Sequence, residues 1–160
     1  MPTPSTITDV FLFVTEVLTI GLLLLALTAP GMACAQSPSL AGDWTTLSDT
    51  TGKPAGRVRI EERDGRFVGT VLGVLSSTDP APNCDRCQGE LRGRPVVGMT
   101  ILRGLRWRGD AFEDGTILDP DNGETYRCSA TLRDGGRRLE LRGYIGLPLF
   151  GRTQTWIRDN

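Results

Sequence analysis

The sequence predicts an all-β fold, an eight-stranded antiparallel up-and-down barrel after an N-terminal signal peptide. Three observations carry that expectation. Short runs of alternating apolar and polar residues recur, separated by turns rich in Gly, Asp and Asn. No βαβ spacing occurs, which argues against a parallel sheet. Gly42-Asp43-Trp44 opens the folded part and Gly151-Arg152-Thr153-Gln154-Thr155-Trp156-Ile157-Arg158 closes it, as if two ends of one sheet met side by side. An open meander of this size would expose two unpaired edges, and closure removes both. Eight strands close around an interior that is filled by side chains or holds one small ligand.

The elements follow in order. The first strand is expected over about Gly42 to Leu47, after a polar lead-in of residues 36–40. Ser48 to Gly56 reads as a loop rich in Thr, Gly and Pro. Val58 and Ile60 alternate with Arg57, Arg59 and Glu61, the pattern of a half-buried strand. Asp64-Gly65 supplies a hairpin turn, and Phe67 to Leu75 is the third strand. Ser76 to about Val96 is one long irregular stretch, with Pro80, Pro82, Pro95 and the Cys84/Cys87 pair. A loop of that length in a compact domain is functional or stapled. Strand four is expected from about Val97 to Trp107, and strand five from about Ala111 to Leu118. Asn122-Gly123 marks the next hairpin. Tyr126, Cys128, Ala130 and Leu132 then share one face of strand six. Strand seven carries Leu139 and Leu141 and runs to Tyr144 and Ile145, and strand eight ends the chain.

Residues 1–35 read as the leader and residues 36–160 as a single domain. From about Val17 to Ala35 the chain is uncharged and mostly apolar, and Ala33-Cys34-Ala35 fits a small-x-small cleavage pattern. Asp9 and Glu16 stand where positive charge is usual. Retention as a membrane anchor and lipidation of Cys34 are the competing outcomes. Export places the protein in the periplasm or outside the cell, where disulfides persist.

Composition narrows the chemistry. The chain of 160 residues suits one domain. Its net charge is −1; without Asp9 and Glu16 the remainder is about one unit positive, too little for a generic grip on nucleic acid. No histidine occurs, which removes Ser-His-Asp, Cys-His and His–metal chemistry together. An enzyme would have to use carboxylates, a thiol or a borrowed cofactor. Neither a cofactor nor a catalytic residue is expected.

Cleavage would leave Cys84, Cys87 and Cys128 as disulfide candidates. A bond between Cys84 and Cys87 would pin the long loop, with Cys128 inward on strand six as a small apolar filler. A bridge from the loop to Cys128 competes, and spacing does not choose. A redox dithiol would need a helix N-terminus that this Pro-rich loop does not promise. A zinc site would need a carboxylate or water as fourth ligand. Asp119, Asp121, Asn122 and Glu124 miss the EF-hand spacing, so no metal is expected. Glu61-Glu62-Asp64 and Glu113-Asp114 read as solvated strand ends, and Arg103, Arg106 and Arg108 as an outer face. Trp44, Trp107, Tyr126, Tyr144 and Trp156 are the aromatic set, which either lines a ligand pocket in the barrel interior or packs its core.

Gly42-Asp43-Trp44 before an eight-strand meander resembles the lipocalin and wider calycin pattern. The resemblance implies a Trp across the barrel floor with a last-strand Arg stacked over it, here Arg158 or Arg152. Cys84-x-x-Cys87, Gly98-Met99, Gly115-Thr116-Ile117-Leu118-Asp119-Pro120, Asn122-Gly123-Glu124-Thr125-Tyr126, Gly143-Tyr144-Ile145-Gly146 and Gly151 to Trp156 together resemble an exported bacterial family, domain of unknown function (DUF) 2147. That likeness implies a lipocalin-like barrel in the envelope and no activity. The expected role is non-catalytic binding of a small ligand or cell-envelope component. A structural or protein-interaction module of the envelope with a filled barrel is the alternative, and a thiol- or carboxylate-based enzyme a lesser one. The interior candidates for ligand contact are Trp44, Tyr126, Tyr144, Trp156 and Arg158. The expected partners are an unknown small molecule or an envelope protein, not nucleic acid. A membrane enters only if the leader is uncleaved or Cys34 is lipidated.

Overall fold

A computed structural model describes residues 37–79 and 82–160. The expected leader, including Cys34, lies outside them. Eight strands run in chain order: β1 Gly42–Leu47, β2 Pro54–Arg63, β3 Arg66–Val74, β4 Thr100–Trp107, β5 Phe112–Asp119, β6 Glu124–Arg133, β7 Arg138–Tyr144 and β8 Arg152–Arg158. Each pairs antiparallel with the next, and β8 pairs with β1 to close the barrel. β4 begins later than its apolar run suggests, because Gly98 turns the chain at φ +87°. In this topology the β2–β3, β4–β5 and β6–β7 turns gather at one end with both termini of the sheet. The other four connections gather at the opposite end, the mouth.

The closing seam is bound on both faces. Trp44, Thr45 and Thr46 of β1 pair with Arg158, Ile157 and Trp156 of β8. Inside, the Arg158 guanidinium stacks on the Trp44 ring, 4.2 Å from its centre. Arg158 also donates to the carbonyls of Gly136 (2.8 Å), Ala41 (2.5 Å) and Ser39 (3.0 Å). Burial pushes its pKa down from the usual arginine value. Outside, Asp159 accepts from Thr45 Oγ1 at 2.7 Å and pairs with Arg57 at 2.8 Å. One carboxylate thus joins the end of the chain to β1 and β2.

The lead-in differs from its polar expectation. Leu40 is fully buried beneath the barrel, and its carbonyl accepts from Trp44 Nε1 at 2.9 Å. Glycine is required at position 42 because φ is +135° and a Cβ would stand 2.7 Å from Arg158 Nη1. The Gly-x-Trp signature therefore makes room for the distant arginine. Phe67 and Phe112 meet edge to face with centres 5.3 Å apart, and Trp107 lies 5.0 Å from Phe112. These rings fill the closed end.

Above them, Val58, Ile60, Val71, Leu102, Leu105, Cys128, Ala130, Leu139, Leu141 and Trp156 are buried. Packing is tight here. A Cβ on Gly115 would lie 2.6 Å from Leu105 and 2.9 Å from Cys128 Sγ, and one on Gly69 would lie 2.9 Å from Leu102. Side chains at the density of protein interiors leave no room for a ligand at this level.

The β3–β4 connection folds back on itself. Cys84 N donates to Arg94 O at 2.8 Å, Val96 N donates to Pro82 O at 2.9 Å, and Asn83 bridges Pro95. Cys84 and Cys87 are disulfide-bonded. Both are buried, together with Val96, Met99 and Leu118, and belong to the same hydrophobic cluster as the barrel interior. The loop rests on the β5–β6 turn: a Cβ on Gly123 would come 2.0 Å from Arg86 O. Glycine at this turn thus admits the backbone of the Cys-bearing loop as well as permitting its φ of +78°.

The clamp gives a direct expectation. Arg158→Ala removes the ring stack and three charge-assisted hydrogen bonds, and it lowers urea-derived stability by roughly 2–4 kcal/mol. Arg152 instead pairs with Asp49 at the exposed mouth. Arg152→Ala changes stability by no more than about 1 kcal/mol.

Candidate functional site

The mouth is where the interior reaches solvent. Strand register turns Thr46, Gly56, Val74, Ile117, Tyr126, Gly143 and Gln154 inward, six of them two residues from a buried neighbour and Val74 three residues from Val71 across the irregularity in the β2–β3 ladder. Each of these seven is only partly buried, whereas Val58, Val71, Leu102, Cys128, Leu141 and Trp156 just below are sealed. The result is a shallow cup with an apolar floor. Its polar fittings are few. Gln154 Oε1 accepts from Trp156 Nε1 at 3.3 Å, Thr46 Oγ1 donates to Gly56 O at 3.4 Å, and the Tyr126 hydroxyl accepts from Asn122 Nδ2 at 2.9 Å. An apolar wall with a few placed polar groups is the usual make-up of a small-molecule site.

The interior candidates separate. Tyr126 stands at the rim of the cup. Trp156 forms its floor and is sealed. Trp44 and Arg158 lie at the closed end, committed to each other and to backbone carbonyls. Tyr144 is not inside the barrel. It pairs with Arg127, whose guanidinium lies 5.7 Å over its ring, on the outer face. Gly143, one residue earlier, takes the inward position opposite Cys128. A search for aromatic residues alone misses Thr46, Val74, Ile117 and Gln154. Counting two residues from Trp44 and Trp156 finds Thr46 and Gln154 directly.

The other clusters are occupied by structure. Asp119 Oδ1 accepts from Asp121 N, and Asn122 Oδ1 accepts from Glu124 N, so the β5–β6 turn binds itself. The Asp114 carboxylate takes hydrogen bonds from Arg108 and Arg106, and they hold its pKa below the usual range. Arg59 does the same for Asp43. Among the described residues no group of three His, Cys, Asp or Glu is placed to hold a metal ion. Two further hollows, of about 320 and 340 Å3, flank the Cys-bearing loop outside the barrel, on either side of Leu91.

A family model, "Uncharacterized protein conserved in bacteria (DUF2147)", matches residues 42–158. The chain belongs to the DUF2147 family. Among solved structures it is similar to a protein described as "Protein HP1028 from the human pathogen Helicobacter pylori belongs to the lipocalin family". The two share 22% identity and a TM-score of 0.67, over 78% of this chain and 85% of the other. That likeness is one of fold: a DUF2147 barrel with the closed eight-strand lipocalin-like plan. No curated protein is significantly similar to the chain.

Cys128 is the free thiol among the described residues, buried inside the barrel, and burial pushes its pKa up to about 12. In the folded protein it should resist iodoacetamide at pH 8 and react fully in denaturant, read by peptide mass mapping. The raised value also has a stability consequence. The unfolded thiol ionises from about pH 8.5 upward while the folded one stays protonated. Stability from this group is therefore complete below that pH and falls as pH rises toward 12.

Proposed function

We propose that this protein is an exported, non-catalytic binding barrel that takes one small, largely apolar molecule end-on at its mouth. The observation that carries the reading is the ring of half-exposed inward residues over a sealed apolar floor. The ligand's body would rest on Trp156, Leu141 and Val71, and its polar end would meet Gln154, Thr46 or Tyr126. Because the lower barrel is packed, the ligand is short or projects from the mouth.

The leader pattern and the Cys84–Cys87 bond support an oxidising compartment. The lack of histidine, the suppressed thiol of Cys128 and the arginine-bound Asp43 and Asp114 support a role without covalent chemistry. The filled lower barrel favours the second reading, an envelope interaction module that uses its surface alone.

Gly143 has room for a side chain: an added Cβ meets Tyr126 and Ile117 at ordinary contact distances, 3.6 and 3.7 Å. Gly143→Leu should block the cup and leave the fold intact. Native mass spectrometry of protein from its own cells should then show a small molecule on the wild type and none on the variant. An empty wild type that retains a protein companion would favour the interaction module.

A further inference from the structure

The β7–β8 connection at the mouth carries an apolar tip that the ligand reading does not use. Ile145, Leu147, Leu149 and Phe150 are 69%, 64%, 79% and 78% exposed. Four large apolar side chains bared on one short loop are unusual for a surface facing water on all sides. The loop is also built rather than slack. Pro148–Phe150 form a 3₁₀ turn, with Phe150 N donating to Leu147 O at 3.2 Å and Gly151 N to Pro148 O at 3.0 Å. Arg142 reaches up from β7 and donates to Pro148 O (2.7 Å), Leu149 O (3.1 Å) and Thr153 Oγ1 (2.9 Å). The carbonyls of residues 147, 148 and 149 are therefore satisfied from within the protein.

Directly below the tip lies a cationic and aromatic collar. Arg142, Arg127 and the Tyr144 ring lie on the outer faces of β6 and β7. Among the described residues no carboxylate pairs with Arg127 or Arg142. An apolar tip above arginine and tyrosine is the arrangement that suits a bilayer interface with anionic headgroups. A protein partner fits less well. A stable interface buries about 800 Å2 per side, a large area for one short loop to supply.

We infer that the loop 145–150 inserts into the outer layer of an anionic phospholipid membrane, with Arg127 and Arg142 at the headgroups. The inference rests on the loop and its collar alone, and it holds or fails whether or not the cup binds a ligand.

The leader carries no tryptophan, so tryptophan fluorescence of the full chain reports the barrel even if the leader is retained. Phe150→Trp places a reporter on the tip, and Asp110→Trp places one on the β4–β5 turn at the closed end. On vesicles of brominated phosphatidylglycerol, the tip reporter should be quenched and blue-shifted and the closed-end reporter should not. Leu149→Asp in the Phe150→Trp background should weaken that response roughly tenfold. Circular dichroism confirms that each variant is folded. Arg127→Ala with wild-type Arg142 should lower binding to phosphatidylglycerol more than to phosphatidylcholine. No quenching of the tip reporter, equal quenching of both reporters, or a response unchanged by Leu149→Asp would overturn the inference. Self-association that Leu149→Asp abolishes would overturn it in favour of a second copy of the chain.

Discussion

The seat of the Arg158 guanidinium is the constraint on which the rest of the fold depends. It lies on the face of Trp44, beneath a position where glycine alone leaves room, and it binds three carbonyls from the lead-in and the β6–β7 turn. Those contacts join the first strand to the last across the whole length of the sequence. A sheet of this kind otherwise ends in two edges whose backbone groups invite pairing with other chains. Closure satisfies those groups and encloses an inside at the same time. The clamp works at one end only, and that gives the barrel its polarity.

That polarity divides the labour. At the closed end the rings of Trp44, Phe67, Trp107 and Phe112 fill the space, and Leu40 plugs it from below. Toward the mouth the interior positions include the small or polar Gly56, Gly143, Thr46 and Gln154 beside Val74, Ile117 and Tyr126. The same strands thus build a dense floor and a shallow cup without any change of topology. The connections at the mouth are free to differ because the clamp at the other end fixes the barrel. One is stapled by a disulfide and seated on Gly123. Another lifts four apolar side chains into solvent.

Much of this was legible in the sequence, for physical reasons. Strand number and order follow from period-two patterning and from turns such as Asp64-Gly65 and Asn122-Gly123, which are local signals. The pairing of the chain's ends was legible because a Gly-x-Trp and a last-strand arginine make a complementary pair. The sequence could not say which arginine. Arg152 and Arg158 have the same inward parity and differ in which end of the barrel they occupy. Tyr144 looked like an interior residue because it is aromatic, yet the parity set by Cys128 and Gly143 turns it outward beside Arg127. The burial of Leu40 was hidden because a lone leucine in a polar stretch carries no period. The cup was hidden for a different reason: it is made by the absence of bulk at glycines and by ordinary polar residues. A hydrophobic pattern marks what fills a core and is silent about where the filling stops.

Heteronuclear NMR on the folded protein tests the closed seam most directly. The account predicts cross-strand contacts between Thr45 and Ile157, contacts between the Trp44 indole and the Arg158 side chain, and slow amide exchange along both β1 and β8. Fast exchange along β8, with no contact to β1, would mean an open sheet with a free edge, and the account of clamp, floor and mouth would fall with it.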